Sequence, residues 1–448
     1  MLKTSNILFL SDNEERTDEE STVASLKSSY DTKLRRVVNY LPLFFLLCFS
    51  GNPIISSMGY SKMLLVLYSF AFIVYVFSFV NFEYIKLKIN QISPVIVFIV
   101  LLVIYQHFLL GKVSYPGVIV LVLKIFLGLF TFIFYQAKRL SFVKTFIKIM
   151  AFLAIISLPF FILNQFIQIG IQLDNIFLKS LILYTSYPAE SFSESLLVRN
   201  PGMFWEPGAF AGYLILALLF VILENRSFTI GNYKKEVFSI LLGLITSQST
   251  TGYFLLGILI LLFIWNRYSW GKIIIVPITL LLVYWGYNNI AFMGNKVENQ
   301  FSNAMAMGES DVSNTRFGAL NMDLMYIRSQ PLTGNGLDIS TRYRFHPWVK
   351  EDIGHGNGMS NFAAIWGIPF FLYFLYCVYQ FAHHYSRKKL IAIVFLLTIV
   401  LVLQGEQFLN YPMFLSFFSL PVFYRQFSES RKGYLLKEDV KTDLNINL

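Results

Sequence analysis

The chain has 448 residues, 56% of them hydrophobic and 14% charged, with a mean hydropathy of +0.58 and a formal net charge of +10. This composition excludes a soluble globular enzyme, because apolar runs of roughly 17–25 residues, each long enough to cross a bilayer, recur along nearly the whole length. The runs are continuous rather than alternating, so the spanning element is the helix, which satisfies its own backbone in lipid, and not the strand of a barrel.

Residues 1–36 form the first element, and they include S-D-N-E-E-R-T-D-E-E-S. That acidic, Ser/Thr-rich segment lacks the basic-then-apolar order of a signal peptide and reads as a disordered cytoplasmic tail. A transmembrane domain follows over 37–426, and the ~20-residue criterion gives about twelve spans. They lie near 37–56, 62–80, 93–110, 116–136, 146–169, 208–225, 236–248, 251–266, 272–292, 361–382, 389–407 and 410–426. Residues 427–448 form a second cytoplasmic tail. The fold class is all-α polytopic membrane protein.

Lys and Arg set the orientation. With a cytoplasmic N-terminus, the inside loops carry Lys86 and Lys88, then Lys138, Arg139 and Lys144, then Arg226, Lys234 and Lys235. Arg267 and Lys272, and then Arg387, Lys388 and Lys389, continue the series, whereas the short outside loops hold little beyond Lys62 and Lys112. Both termini are therefore expected inside. The basic residues are spread over loops with no cluster on a soluble domain, so nucleic acid is not an expected partner. Cys48 and Cys377 both fall inside apolar runs, which argues against a disulfide framework or a cysteine metal site.

Two long loops, near 170–207 and 293–360, are expected outside, away from ATP and sugar nucleotides. The first ends in R-N-P-G-M-F-W-E-P-G-A-F (Arg199–Phe210). There Pro201-Gly202 forces a turn, and Pro207 suits the first helical position, with Glu206 flanking it. The helix N-terminus offers free amides and a positive dipole end. A plain reading makes Trp205 an interfacial anchor and Glu206 a dipole partner, but it leaves Arg199 without a role. S-Q-S-T-T-G (Ser247–Gly252) is the next outward turn, with Ser249, Thr250 and Thr251 as natural N-caps.

The second loop holds the densest polar chemistry. Asn314–Arg328 has Phe317, Leu320, Leu324 and Ile327 at helical spacing, which predicts an amphipathic helix, and P-L-T-G-N-G (Pro331–Gly336) stops it. Arg342, Arg344 and His346 come next, and G-H-G-N-G-M-S-N (Gly354–Asn361) leads into a span. The planar fork of arginine suits bidentate phosphate contacts. With no D-x-D pair and no ligand spacing, no metal is called for. The simplest substrate is an anionic lipid diphosphate reached from the outer leaflet. The spans themselves carry few charges, and Glu406, near an outer helix end, is the nearest exception.

The order of these motifs resembles that of the bacterial O-antigen polymerase (Wzy-type) and O-antigen ligase superfamily. R-x-x-G-x-F-x-E-P-G-A-F-A opens a span, S-T-T-G follows at the next hairpin, and N-T-R…P-L-T-G-N-G lies in a long loop. H-G-N-G followed by G-I-P-F-F-L-Y completes the set. The resemblance implies a GT-C-like, metal-independent, inverting glycosyltransferase with no cofactor. It would work at the periplasmic side of the bacterial inner membrane on undecaprenyl-diphosphate-linked oligosaccharides as donor and acceptor. Glu206 or His355 would be the base, with the other orienting the acceptor. Arg199, Arg316, Arg342 and Arg344 would hold diphosphate and sugar acids, with Thr250 and Asn357 as further substrate contacts. Membrane lipid, a chain-length regulator and other polysaccharide-assembly proteins are the implied partners. The S-T-T-G and E-P-G-A-F-A forms favour polymerase over ligase. A transporter or flippase for an anionic lipid-linked sugar is the rival from another class, and it should place its charges near the bilayer midplane.

Overall fold

Helix boundaries in this chain are set by capping side chains and Pro/Gly punctuation, as the computed structural model makes visible. It describes residues 38–57, 61–111, 113–173, 178–186, 198–267, 277–278, 281, 316–338, 341 and 357–421. Two compact units divide the chain, Met1–Phe45 and Leu46–Leu448. The described residues of the first, 38–45, are helical. The second unit contains everything below.

Its elements are α1 (Pro53–Ser57), α2 (Ser61–Phe79), α3 (Phe82–Leu110), α4 (Tyr115–Ala137) and α5 (Phe142–Asn164). Short strands β1 (Ile171–Gln172), β2 (Lys179–Ser180) and β3 (Thr185–Ser186) follow, then α6 (Pro207–Asn225), α7 (Lys234–Ser247) and α8 (Thr250–Arg267). After α9 (Arg316–Ser329) come α10 (Gly358–Trp366), α11 (Ile368–Ser386), α12 (Lys389–Gly405), a 3-10 turn at Phe408–Asn410, and α13 (Pro412–Leu415). The Asn81 side chain accepts from the Glu83 N–H at 3.0 Å to start α3, and Ser141 accepts from the Lys144 N–H at 3.2 Å to start α5.

Five described helices, all between Lys62 and Asn225, are long and apolar enough to cross a membrane, and Val38–Cys48, Thr250–Trp265 and Lys389–Gly405 are shorter apolar helices. The protein is thus mostly helical with membrane-spanning character. The segment expected near 361–382 is broken in two at Gly367, between α10 and α11. The expected span at 272–292 falls almost entirely outside the described residues. The 170–207 loop holds something the periodicity did not suggest, a three-stranded antiparallel sheet pairing Ile171 with Ser180 and Ser180 with Thr185.

Burial sorts the helices. In α6, 83% of the apolar window is buried, against 22% in α2 and 33% in α3. So α6 is the central helix, and α2 and α3 present Phe70, Val97, Leu101 and Phe108 outward, as a lipid-facing surface requires. Aromatic rings fill the space around α6. Phe220 packs on Phe146 of α5 at 4.9 Å and on Phe395 of α12 at 6.1 Å. Toward the other end, Tyr213 stacks on Phe204 at 4.3 Å and meets Phe414 of α13 edge-on at 5.6 Å. Where α6 ends, Lys144 pairs with Glu224 at 3.0 Å, and the Tyr385 hydroxyl donates to the same carboxylate, tying α5, α6 and α11 together.

Candidate functional site

The site is built at the N-terminal end of α6, and its frame is the R-N-P-G loop. Asn200 is fully buried. Its side-chain amide donates to Ser157 and Thr246, both at 2.9 Å, and its carbonyl oxygen accepts from the Gly202 N–H at 2.9 Å. The Asn200 backbone N–H donates to the Thr246 carbonyl at 3.0 Å, and the Thr185 N–H donates to the Gly202 carbonyl at 2.7 Å. The loop is therefore clamped to α5, α7 and β3 at once. Pro207 occupies the first turn of α6 and Glu206 the N-cap position, as expected; the Glu206 side chain makes no capping bond and is left for other partners. Trp205 does not act as a free interfacial anchor. It stacks on Tyr411 at 4.5 Å and meets Phe408 edge-on at 6.1 Å, so packing holds the residue beside Glu206.

Beyond this frame, three distant segments converge on Glu206. Glu406, one residue past the end of α12, brings its carboxylate beside that of Glu206 at Gly208. The Arg316 Nη2, at the first turn of α9, pairs with the Glu406 Oε1 at 2.8 Å, and the Arg316 Nη1 donates to the Thr251 hydroxyl of α8 at 3.2 Å. Side-chain exposure is 24% for Arg316 and 13% for Glu406, which places the ion pair in a partly buried setting where charge interactions are strong. Burial pushes the Glu406 carboxyl well above its ordinary value; the neighbouring Glu206 adds to that, and Arg316 opposes it. Burial, with Glu406 and Glu206 adding, also pushes the Tyr411 phenol up.

A small cavity of about 10 Å³, room for a water-sized group, opens here. Glu406, Arg316 and Thr251 line its polar side, and Ile215, Leu255 and Val402 its apolar side. Glycines of α6, α8 and α12 leave the room between the helices. Two carboxylates, a guanidinium and a hydroxyl can together move a proton and neutralise an anion.

Among the sequence-predicted residues, Glu206 and Arg316 are brought together, joined through Glu406. Arg199 lies at the same α7–α8 hairpin, where its Nε donates to the Ser247 carbonyl at 3.3 Å. The two arginines thus hold opposite sides of the S-Q-S-T-T-G turn. Ser249 supplies the expected cap, accepting from the Gly252 N–H at 3.2 Å. Thr250 is the first residue of α8 and is not part of the cavity lining, where Thr251 stands instead. Asn357 caps α10, accepting from the Met359 and Ser360 N–H groups at 3.2 and 3.1 Å. Arg342, Arg344, His346 and His355 lie outside the described residues.

The α9 helix forms where the spacing placed it, but with a different face inward. Ala319, Met322, Asp323 and Tyr326 are buried, while Leu324 is exposed. The reason is polar: the Ser360 hydroxyl of α10 donates to the Asp323 carboxylate at 2.6 Å. The P-L-T-G-N-G turn then seats on α10 through Asn335 N–H to the Ala364 carbonyl at 2.8 Å and Gly336 N–H to the Ile365 carbonyl at 3.0 Å. Gln106 of α3 donates to the Thr333 and Ile365 carbonyls at 2.6 and 3.0 Å. This docking fixes the position of Arg316. Sequence reasoning missed Glu406 as a site residue; its signal was an acid at the edge of an otherwise apolar run.

No family model matches the chain, and comparison with curated proteins and with solved structures returns no match.

Proposed function

We propose that the protein is a membrane glycosyltransferase that polymerises undecaprenyl-diphosphate-linked oligosaccharide repeat units at the outer face of the bacterial inner membrane. The observation that carries this reading is the pairing of Glu406 with Arg316 on one cavity at the mouth of the central helix, with Glu206 beside Glu406 at Gly208. Displacement of a diphosphate from a sugar carbon needs little more than that. The leaving group is already good, so the protein supplies charge neutralisation, through Arg316 with Arg199 at the other end of the same turn, and a carboxylate to take the acceptor proton. The motif order described above points to the same chemistry. A transporter would instead set charges deep within broken spans, whereas these sit where helices end.

The test is a deletion strain analysed on a polysaccharide gel. Surface lipid capped with a single repeat unit is the expected result. Polymer accumulating on the carrier lipid would make the protein a ligase, and unchanged glycans would sink the enzyme reading. Arg199→Ala and Arg316→Ala should each abolish the ladder at normal protein levels. Normal ladders in both would overturn the site.

A further inference from the structure

Resting on this glycosyl-transfer reading, we infer that Glu406 is the carboxylate that takes the acceptor proton, that Glu206 is its positioning partner, and that the proton transfer releases Arg316 to the departing diphosphate. Three observations carry it. First, Glu406 lines the cavity together with Arg316 and Thr251, whereas Glu206 is not part of the lining and reaches Glu406 from beside Gly208. Second, Arg316 is bound in the resting state: one terminal nitrogen is on Glu406 and the other on Thr251. Its charge is fully offered to a ligand only when Glu406 loses its own. Third, the helix ends differ. Glu206 stands at the N-terminus of α6, where the dipole favours an anion, but Glu406 stands at the C-terminus of α12, where it disfavours one. The end of α12 is thus the one that favours a neutral acid.

The step balances. The acceptor O–H bond breaks, and its proton goes to a Glu406 oxygen as the acceptor oxygen bonds to the donor sugar carbon. The bond from that carbon to the diphosphate oxygen breaks, and the diphosphate leaves with the electron pair. Negative charge disappears from Glu406 as it grows on the leaving group, and Arg316 sits beside the first and faces the second. The groups facing Glu406 are Glu206 from α6, Thr251 from α8, Arg316 from α9 and Tyr411 from the turn after α12.

The experiment uses the full-length protein in lipid nanodiscs with geranylgeranyl diphosphate as the binding probe, alongside polymer ladders from complemented cells. Glu406→Gln mimics the protonated acid. It is expected to bind the probe about tenfold tighter than wild type, about 1.4 kcal/mol, while polymer formation falls at least ~100-fold. Glu206→Gln, as a positioning change, should keep a reduced ladder whose pH dependence moves to lower pH. Wild-type ladders in E406Q, or probe binding no tighter than wild type, overturn the inference. Should E406Q fail to fold, the E206Q profile decides: a downward shift supports the pairing, and an unmoved profile refutes it. A deletion strain with unchanged glycans overturns the polymerase reading and the proton-accepting role with it. Unaltered E406Q binding in a strain whose ladder does depend on this protein overturns the inference alone.

Discussion

Replacing Gly208 with alanine separates the Glu206–Glu406 pair from the fold that carries it. Gly208 is the second residue of α6, and a Cβ built there would lie 2.7 Å from the Glu406 Oε1 and 2.9 Å from the Glu206 Oε1. Ordinary contact begins near 3.4 Å, so the two carboxylates must retreat by about 0.7 and 0.5 Å. Both oxygens are ends of flexible side chains, so the helix itself need not move. Alanine also favours the helix over glycine by up to ~1 kcal/mol. Stability should therefore hold or rise slightly. Activity should not, because a displacement of this order stretches the 2.8 Å contact between Glu406 and Arg316 and pries apart the two acids. Misplacement by about 1 Å at a reacting centre costs on the order of 100-fold, so a loss of about 10- to 100-fold is expected here. Thermal melting of the purified protein and ladder length in complemented cells read the two effects separately. Full-length ladders from a stably folded G208A protein would refute the placement of chemistry at this pair.

Asn200→Ala should act in the opposite sense, on the fold. It removes the three buried side-chain hydrogen bonds that clamp the R-N-P-G loop, at about 1 kcal/mol each, and a melting temperature equal to wild type would contradict that clamp. Gly334→Ala places a Cβ at φ +66° within 2.3 Å of the Ile365 carbonyl oxygen and 2.6 Å of the Gly367 nitrogen, which are rigid backbone atoms. It should undock α9, expose residues 316–336 to limited proteolysis and abolish polymer, whereas wild-type protease resistance would argue against the docked turn. The pH dependence has a definite sign. A carboxyl pushed up by burial and by Glu206 must lose its proton before it can accept one, so polymer formation should rise as pH is raised through the range above the ordinary carboxylate value. A rate that falls across that range would exclude Glu406 as the acceptor.

Local rules made parts of this site legible in the sequence. Pro207 after Glu206 marked the start of α6, S-Q-S-T-T-G marked a capped hairpin, and P-L-T-G-N-G marked the end of α9. Each is a matter of a few neighbouring residues. The inward face of α9 was not legible, because Asp323 reads as a solvent-facing residue until Ser360 is brought against it. Nor could the small sheet be read from two-residue strands, since pairs of residues carry no periodicity.

The acid pair was hidden for a further reason. Local electrostatics places acids at helix N-termini and bases at C-termini. Glu206 obeys that rule, and it was found. Glu406 closes a helix, the end that its charge disfavours by about 0.3–1 kcal/mol. Its placement makes no sense until Arg316, 90 positions away in sequence, meets it at 2.8 Å. An acid that breaks the local rule is held by its partner more than by its helix. Such departures from local consistency concentrate where function sets the arrangement. In the proposed reaction, the same feature would let the pair come apart. Neutralising Glu406 would relieve its conflict with the end of α12, and a diphosphate offered to Arg316 would replace the partner it loses.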